Sequence, residues 1–137
     1  MGVYNGVVTQ PTILLVDDDP VFVDAMTAVL SKRYNTRSAA DGEEAMASLT
    51  EDRPDLILLD VMLTYPSEGY DLAATLKKNS ETSDIPIIML TGVNRVFEIR
   101  SRLEKGWVDV EGFHTKPPDF DKLFESIEKH LTSVPVT

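Results

Sequence analysis

The sequence predicts a doubly wound α/β fold: a five-stranded parallel sheet of order 2-1-3-4-5, with five helices packed on its faces. Three observations carry this reading. Leu56-Ile57-Leu58-Leu59 is a purely aliphatic run between Asp55 and Asp60, introduced by Pro54. Such a run is too short for a helix and apolar on both sides, so it reads as a strand buried on both faces. Similar short apolar runs alternate with segments of helical spacing, the pattern of βαβ units with right-handed crossovers. Finally, Asp19-Pro20 and Asp41-Gly42 mark helix starts between the runs.

Taken in order, residues 1–11 show no strong periodicity and read as a flexible leader. Thr12-Ile13-Leu14-Leu15-Val16 is the first buried strand and runs into Asp17-Asp18-Asp19-Pro20. Asp19 followed by Pro20 is an N-cap acceptor with proline at the first helical position. The helix follows in Val21, Phe22, Ala25, Met26, Val29 and Leu30, one apolar face at helical spacing. Residues 34–40 form a weak strand at an edge, and Asp41-Gly42-Glu43-Glu44 opens a second helix carrying Ala45, Met46 and Leu49. After the central strand come a loop over 64–69 and a third helix over about 70–78. Polar residues 79–84 lead into Ile85-Pro86-Ile87-Ile88-Met89-Leu90, a fourth strand ending at Thr91-Gly92. Asn94 caps a fourth helix reaching about residue 105, and Gly112-Phe113-His114-Thr115 is a short fifth strand that stops at Lys116-Pro117-Pro118. Phe120, Leu123, Phe124, Ile127 and Leu131 stripe the last helix. Residues 12–131 are therefore one domain, and 132–137 a tail.

A chain of 137 residues suits one domain and buries roughly two-thirds of its unfolded surface. The absence of cysteine excludes disulfides, thiolate catalysis and Cys-ligated metals, and two histidines exclude a multi-histidine metal site. No apolar run approaches the roughly 18 residues of a membrane span. The first basic residue is Lys32, so the charged start of a signal peptide is missing and a cytoplasmic location is the default. Thirteen basic against 23 acidic residues give a net charge of −10, which argues against nucleic-acid binding by this chain.

The strand tips concentrate the chemistry. Strand one delivers Asp17 and Asp18, strand three Asp60, strand four Thr91 and strand five Lys116, all on the rim where open α/β sheets bind ligands. A helix cap needs only Asp19, which leaves Asp17 and Asp18 to be explained otherwise. Carboxylates converging there repel one another unless a cation sits among them, and a few hard oxygen donors suit Mg²⁺. Lys116 adds a compact positive charge, Thr91 a hydroxyl donor, and Gly92 leaves room beside it. These are the parts of phosphoryl transfer to a carboxylate, with Asp60 the nucleophile, Asp18 the direct metal ligand and Asp17 acting largely through water.

With these residues in view, the sequence closely resembles the receiver domain of two-component response regulators. The matching segments are Ile13 through Pro20, Ala40 through Ala45, Pro54 through Met62, Pro86 through Gly92, and Lys116-Pro117, so the resemblance spans residues 12–131. It implies a flavodoxin-like receiver fold and a single-domain signalling switch, not an enzyme beyond assisting its own phosphorylation and dephosphorylation. By this resemblance Asp60 takes a phosphoryl group from a sensor histidine kinase or phosphotransfer protein. Mg²⁺ then sits on Asp17, Asp18, Asp60 and the Met62 main-chain carbonyl. The Lys116-Pro117 peptide is cis, and Thr91 with Phe113 forms the switch. A surface made by the fourth helix, fifth strand and fifth helix then controls an unidentified downstream protein.

Three departures from the family pattern stand out. The loop after Asp60 is one residue longer, with Pro66 displaced and Tyr65 and Glu68 inserted. The stretch from Thr91 to Lys116 is about three residues longer, in Gly106-Trp107-Val108-Asp109-Val110-Glu111. The switch position holds Phe113, which has no hydroxyl to donate and is equally well a core ring. Met62 and Val93, which flank the acceptor, cannot orient an attacking water, so a long-lived phosphoryl group is expected. Two other classes compete: an interaction module that works without phosphorylation, and a Mg²⁺-dependent phosphohydrolase. The complete residue set opposes the first. Met62, where such a hydrolase would carry a second carboxylate, opposes the other.

Overall fold

Alternate residues of the strands point to opposite faces, and here both faces are apolar, so helices must cover both. The computed structural model describes residues 2–4, 7–61, 68–92 and 110–131. It contains β1 (Gly2–Tyr4), β2 (Val7–Thr9), β3 (Thr12–Val16), α1 (Pro20–Leu30), β4 (Asn35–Ala39), α2 (Gly42–Glu51), β5 (Leu56–Asp60), α3 (Glu68–Lys78), β6 (Ile87–Gly92), β7 (Gly112–Lys116) and α4 (Phe120–Leu131).

Strands β4-β3-β5-β6-β7 form one parallel five-stranded sheet, which is the order 2-1-3-4-5 counted from Thr12. Every residue of β5 is buried, and Leu56 through Leu59 have no solvent exposure, as their position at the centre of the sheet requires. On one face Leu14, Val16, Ile57, Leu59 and Met89 pack with Ala45 of α2 and with Tyr70, Ala73 and Leu76 of α3. On the other, Ile13, Leu15, Leu58, Ile88 and Leu90 pack with Met26 and Leu30 of α1 and Leu123, Ile127 and Leu131 of α4. Tyr34, just ahead of β4, closes this second layer and donates to Glu128 Oε1 of α4 at 2.5 Å. In β3, β5 and β6 successive residues alternate between the two layers.

Helix starts follow from their caps. Asp19 accepts from the Val21 and Phe22 amides at 3.0 and 3.3 Å, with Pro20 leading the helix. Asp41 accepts from the Glu44 amide at 2.8 Å, and Glu68 Oε1 accepts from Gly42 N at 3.1 Å, tying α3 to the start of α2.

Four helices are present among the described residues. The predicted fourth helix, along with Met62, Tyr65, Pro66, Val93 and Trp107, lies outside them, as do residues 132–137. One difference concerns the leader. Gly2–Tyr4 and Val7–Thr9 pair as a small antiparallel ladder, with Tyr4 opposite Val7, where periodicity predicts no element. Each strand is only three residues long, too short for alternation to register. The signal was Asn5-Gly6 between apolar residues, the dipeptide of two-residue hairpins.

At the end of the sheet opposite Asp60, Glu111 extends the ladder ahead of β6 and β7. Its amide donates to Ile87 O at 2.9 Å and its Oε2 accepts from Ile87 N at 2.8 Å. Oε1 pairs with Lys77 Nζ of α3 at 2.5 Å, and that ammonium also donates to Ile85 O at 3.2 Å. The longer segment of the sequence thus ends in a clasp between α3 and the sheet.

Candidate functional site

The register sets the geometry of the rim. Val16 lies opposite Leu59, Asp60 opposite Leu90, and Gly92 opposite Lys116, so Asp17, Asp18, Asp60, Thr91 and Lys116 all emerge at one edge. Asp17 and Asp60 are buried, with 2% and 4% exposure, and Asp18 is exposed. One oxygen from each of the three carboxylates lies within 4.8 Å of the others.

Asp17 is held from three directions. Its amide donates to Ala39 O at 3.0 Å, its Oδ1 accepts from Asp19 N at 2.9 Å, and its Oδ2 accepts from Lys116 Nζ at 2.9 Å. The same ammonium reaches Asp60 Oδ2 at 3.5 Å. Burial works against the charge of Lys116. The hydrogen bond to Asp17 and the charges of Asp60 and Asp17 outweigh it and hold the ammonium's pKa above that of an ordinary lysine. The Lys116-Pro117 peptide that delivers this side chain is cis.

Among the described residues, three carboxyl groups share one ammonium in a partly buried pocket. The donors are hard oxygens, and their spacing allows one ion to touch all three, so the residues present fit a divalent cation such as Mg²⁺.

Thr91 is fully buried, and among the described residues its hydroxyl makes a long 3.4 Å bond to Gly92 O. Phe113 lies opposite Met89 and Thr115 opposite Thr91, which places Phe113 and Thr91 on the same sheet face, two residues apart along the strand direction. Phe113 packs against the core layer of that face.

Two residues at the site were not singled out by sequence reasoning. A Cβ at Gly69 would stand 2.5 Å from both Asp60 O and Val61 O, so only glycine lets the start of α3 sit against the end of β5. The sequence reading places Gly69 in a loop, where a glycine is ordinary, whereas α3 begins at Glu68 and takes Gly69 into its first turn. Phe22, read as a core residue, also places its ring 4.4 Å from Lys116 Nζ. Nothing in sequence spacing connects residues so far apart. The Met62 carbonyl lies outside the described residues.

The family profile of the response regulator receiver domain matches residues 13–128. The chain belongs to that family. Its relatives include RpaA of Synechocystis, a DNA-binding dual master transcriptional regulator, at 30% identity over 89% of this chain and 49% of that protein. PilH of Pseudomonas aeruginosa is 30% identical, over 87% of this chain and 96% of its own. Among solved structures, the signal receiver domain of a signal transduction histidine kinase from Syntrophus aciditrophicus superposes with a TM-score of 0.79 at 30% identity, covering 93% of this chain and 94% of that one. The chain spans about half the length of RpaA and less of several other curated relatives. Membership in the family gives the receiver a phosphoacceptor signalling role. No helix among the described residues is long and apolar enough to cross a membrane.

Proposed function

We propose that the chain is a cytoplasmic phosphoacceptor switch in which Asp60 takes a phosphoryl group from a histidine kinase or phosphotransfer protein. The observation that carries this reading is the Asp60 carboxylate at the tip of the central strand, 3.5 Å from Lys116 Nζ and within 4.8 Å of oxygens of Asp17 and Asp18. An oxygen of Asp60 forms the new O–P bond. The P–N bond of the phosphohistidine breaks, and its electron pair stays on the departing imidazole nitrogen. A carboxylate attacks without a general base, and the burial of Asp60 strips the water that would otherwise shield the attacking oxygen.

Lys116 lies where it can neutralise the transferring oxygens, and Asp17 and Asp18 complete a cation site with Asp60. Mg²⁺ bound there would add positive charge to that of Lys116 against the transferring oxygens. The chain assists its own phosphorylation and hydrolysis and turns over no separate substrate. Thr91 donates to the phosphoryl group once it is in place, and Phe113, on the same sheet face, follows by repacking. The predicted fourth helix, β7 and α4 then present the altered surface to a downstream protein. A complete switch needs roughly 5 kcal/mol of differential stabilisation.

The test is incubation with acetyl phosphate and Mg²⁺. We expect a stoichiometric, hydroxylamine-sensitive gain of one phosphoryl group that disappears with chelator and in Asp60→Asn. A gain that survives in Asp60→Asn, or sustained turnover of acetyl phosphate, overturns the reading.

A further inference from the structure

Lys116 faces a conflict that its carboxylate partners cannot resolve. Its shorter ion pair, 2.9 Å, is with Asp17, and Asp17 is also one of the three residues that a divalent cation would engage. A cation on Asp17 weakens that residue's hold on the ammonium at the stage when the ammonium is needed beside Asp60. The remaining pair, to Asp60, is 3.5 Å long. A lysine head on a flexible four-carbon stem, held by one long contact, would spend time in solvent.

The third wall of the ammonium's pocket is the ring of Phe22, with Nζ 4.4 Å from its centroid. The ring is fixed by the same local chemistry that starts α1. Asp19 caps the helix and receives the Phe22 amide, Pro20 sets the first turn, and the ring packs against the core layer shared by α1 and α4. An aromatic face attracts an ammonium through its quadrupole, yet it carries no net charge and binds no magnesium. It neither competes for the cation nor adds to the negative charge of the pocket.

From this arrangement we infer that Phe22 is a positioning residue for phosphoryl transfer: its ring keeps the Lys116 ammonium beside Asp60 when a divalent cation occupies Asp17. The inference rests on Asp60 being the acceptor. It assigns Phe22 a role that its place on the apolar face of α1 does not require.

The experiment uses protein carrying ¹³C-labelled lysine. In the wild type, the ring current of Phe22 shifts the Lys116 Cε protons upfield, and the shift persists when Mg²⁺ is added. Phe22→Tyr keeps the shift, and Phe22→Leu loses it. With acetyl phosphate as donor, which removes any effect on protein docking, Phe22→Leu is phosphorylated about fivefold more slowly. Its Mg²⁺ half-saturation stays unchanged, and Phe22→Tyr restores most of the rate. Phe22→Met, closer to the native volume, repeats the comparison should the leucine variant melt early.

Collapse of the upfield shift on adding Mg²⁺ to wild-type protein overturns the inference, as does a Phe22→Leu rate equal to wild type. Loss of rate in both Phe22→Leu and Phe22→Tyr, in step with lower melting temperatures, also overturns it by reducing Phe22 to a packing residue. Wild-type protein that takes no phosphoryl group overturns the acceptor reading instead, and the Mg²⁺ response of the Lys116 resonance still decides where the ammonium sits.

Discussion

Lys116 is the single positive charge drawn into the acidic pocket among the described residues, and its removal separates two functions that one side chain combines. Lys116→Met should lower phosphorylation by acetyl phosphate about a hundredfold, the usual scale for losing one preorganised charge at a reacting group. The same change removes a competitor for the carboxylates. Mg²⁺ should therefore bind several-fold more tightly in a titration calorimeter. A parallel loss of both properties would contradict this arrangement.

His114, one residue before Thr115 on β7, carries a different signal. Burial disfavours its imidazolium more than the nearby Asp119 favours it, so its pKa lies below the ordinary 6.5. The unfolded chain then takes up this proton more readily than the folded one. Stability is undiminished above pH 6.5 and falls as pH drops below it. Urea melts at pH 7.5 and 5.5 should show a smaller acid-induced loss in His114→Gln.

At the scale of elements, the start of α3 sits close against the tip of β5. Gly69→Ala must push the helix off Asp60 and Val61, since the added methyl would stand 2.5 Å from two carbonyl oxygens. We expect a loss of about 1–3 kcal/mol in denaturant melts together with slower phosphorylation, because the displaced backbone carries Asp60, the proposed acceptor.

How much of this was legible beforehand depends on whether the cause is local. The α1 cap is written in Asp19-Pro20 and the edge position of β4 in its mixed composition, and both appear as expected. The stripe of α4 is likewise found where its spacing puts it, over Phe120–Leu131. The rim residues were legible because each ends a strand, and parallel strands carry their ends to one edge. The contact between Phe22 and Lys116 was not, because it is made by the packing of α1 over the end of β7 and leaves no mark in either segment. The β1–β2 pair was missed although Asn5-Gly6 advertises it, because three-residue strands are shorter than the window in which alternation can be read.

For the molecule as a whole, the proposed cation site on the acidic rim should make the folded state sensitive to divalent cations. Because only the fold assembles the three carboxylates, Mg²⁺ at a hundred times its dissociation constant should stabilise the protein by about 2.7 kcal/mol. The melting temperature should rise with Mg²⁺ in wild-type protein, and Asp18→Asn should blunt that rise in differential scanning calorimetry.

The Glu111 clasp has a consequence at the same scale. Gly92 ends β6 at the acidic rim, and Glu111 is pinned at the opposite end of the sheet by Ile87 and Lys77. If residue 60 takes the phosphoryl group as proposed, the disturbance starts at the rim, and the Glu111 fastening at the other end should hold the entry to β7 in register. Amide exchange at Ile87 should therefore be as slow after phosphorylation as before it, and Glu111→Ala should unfasten that end in both states.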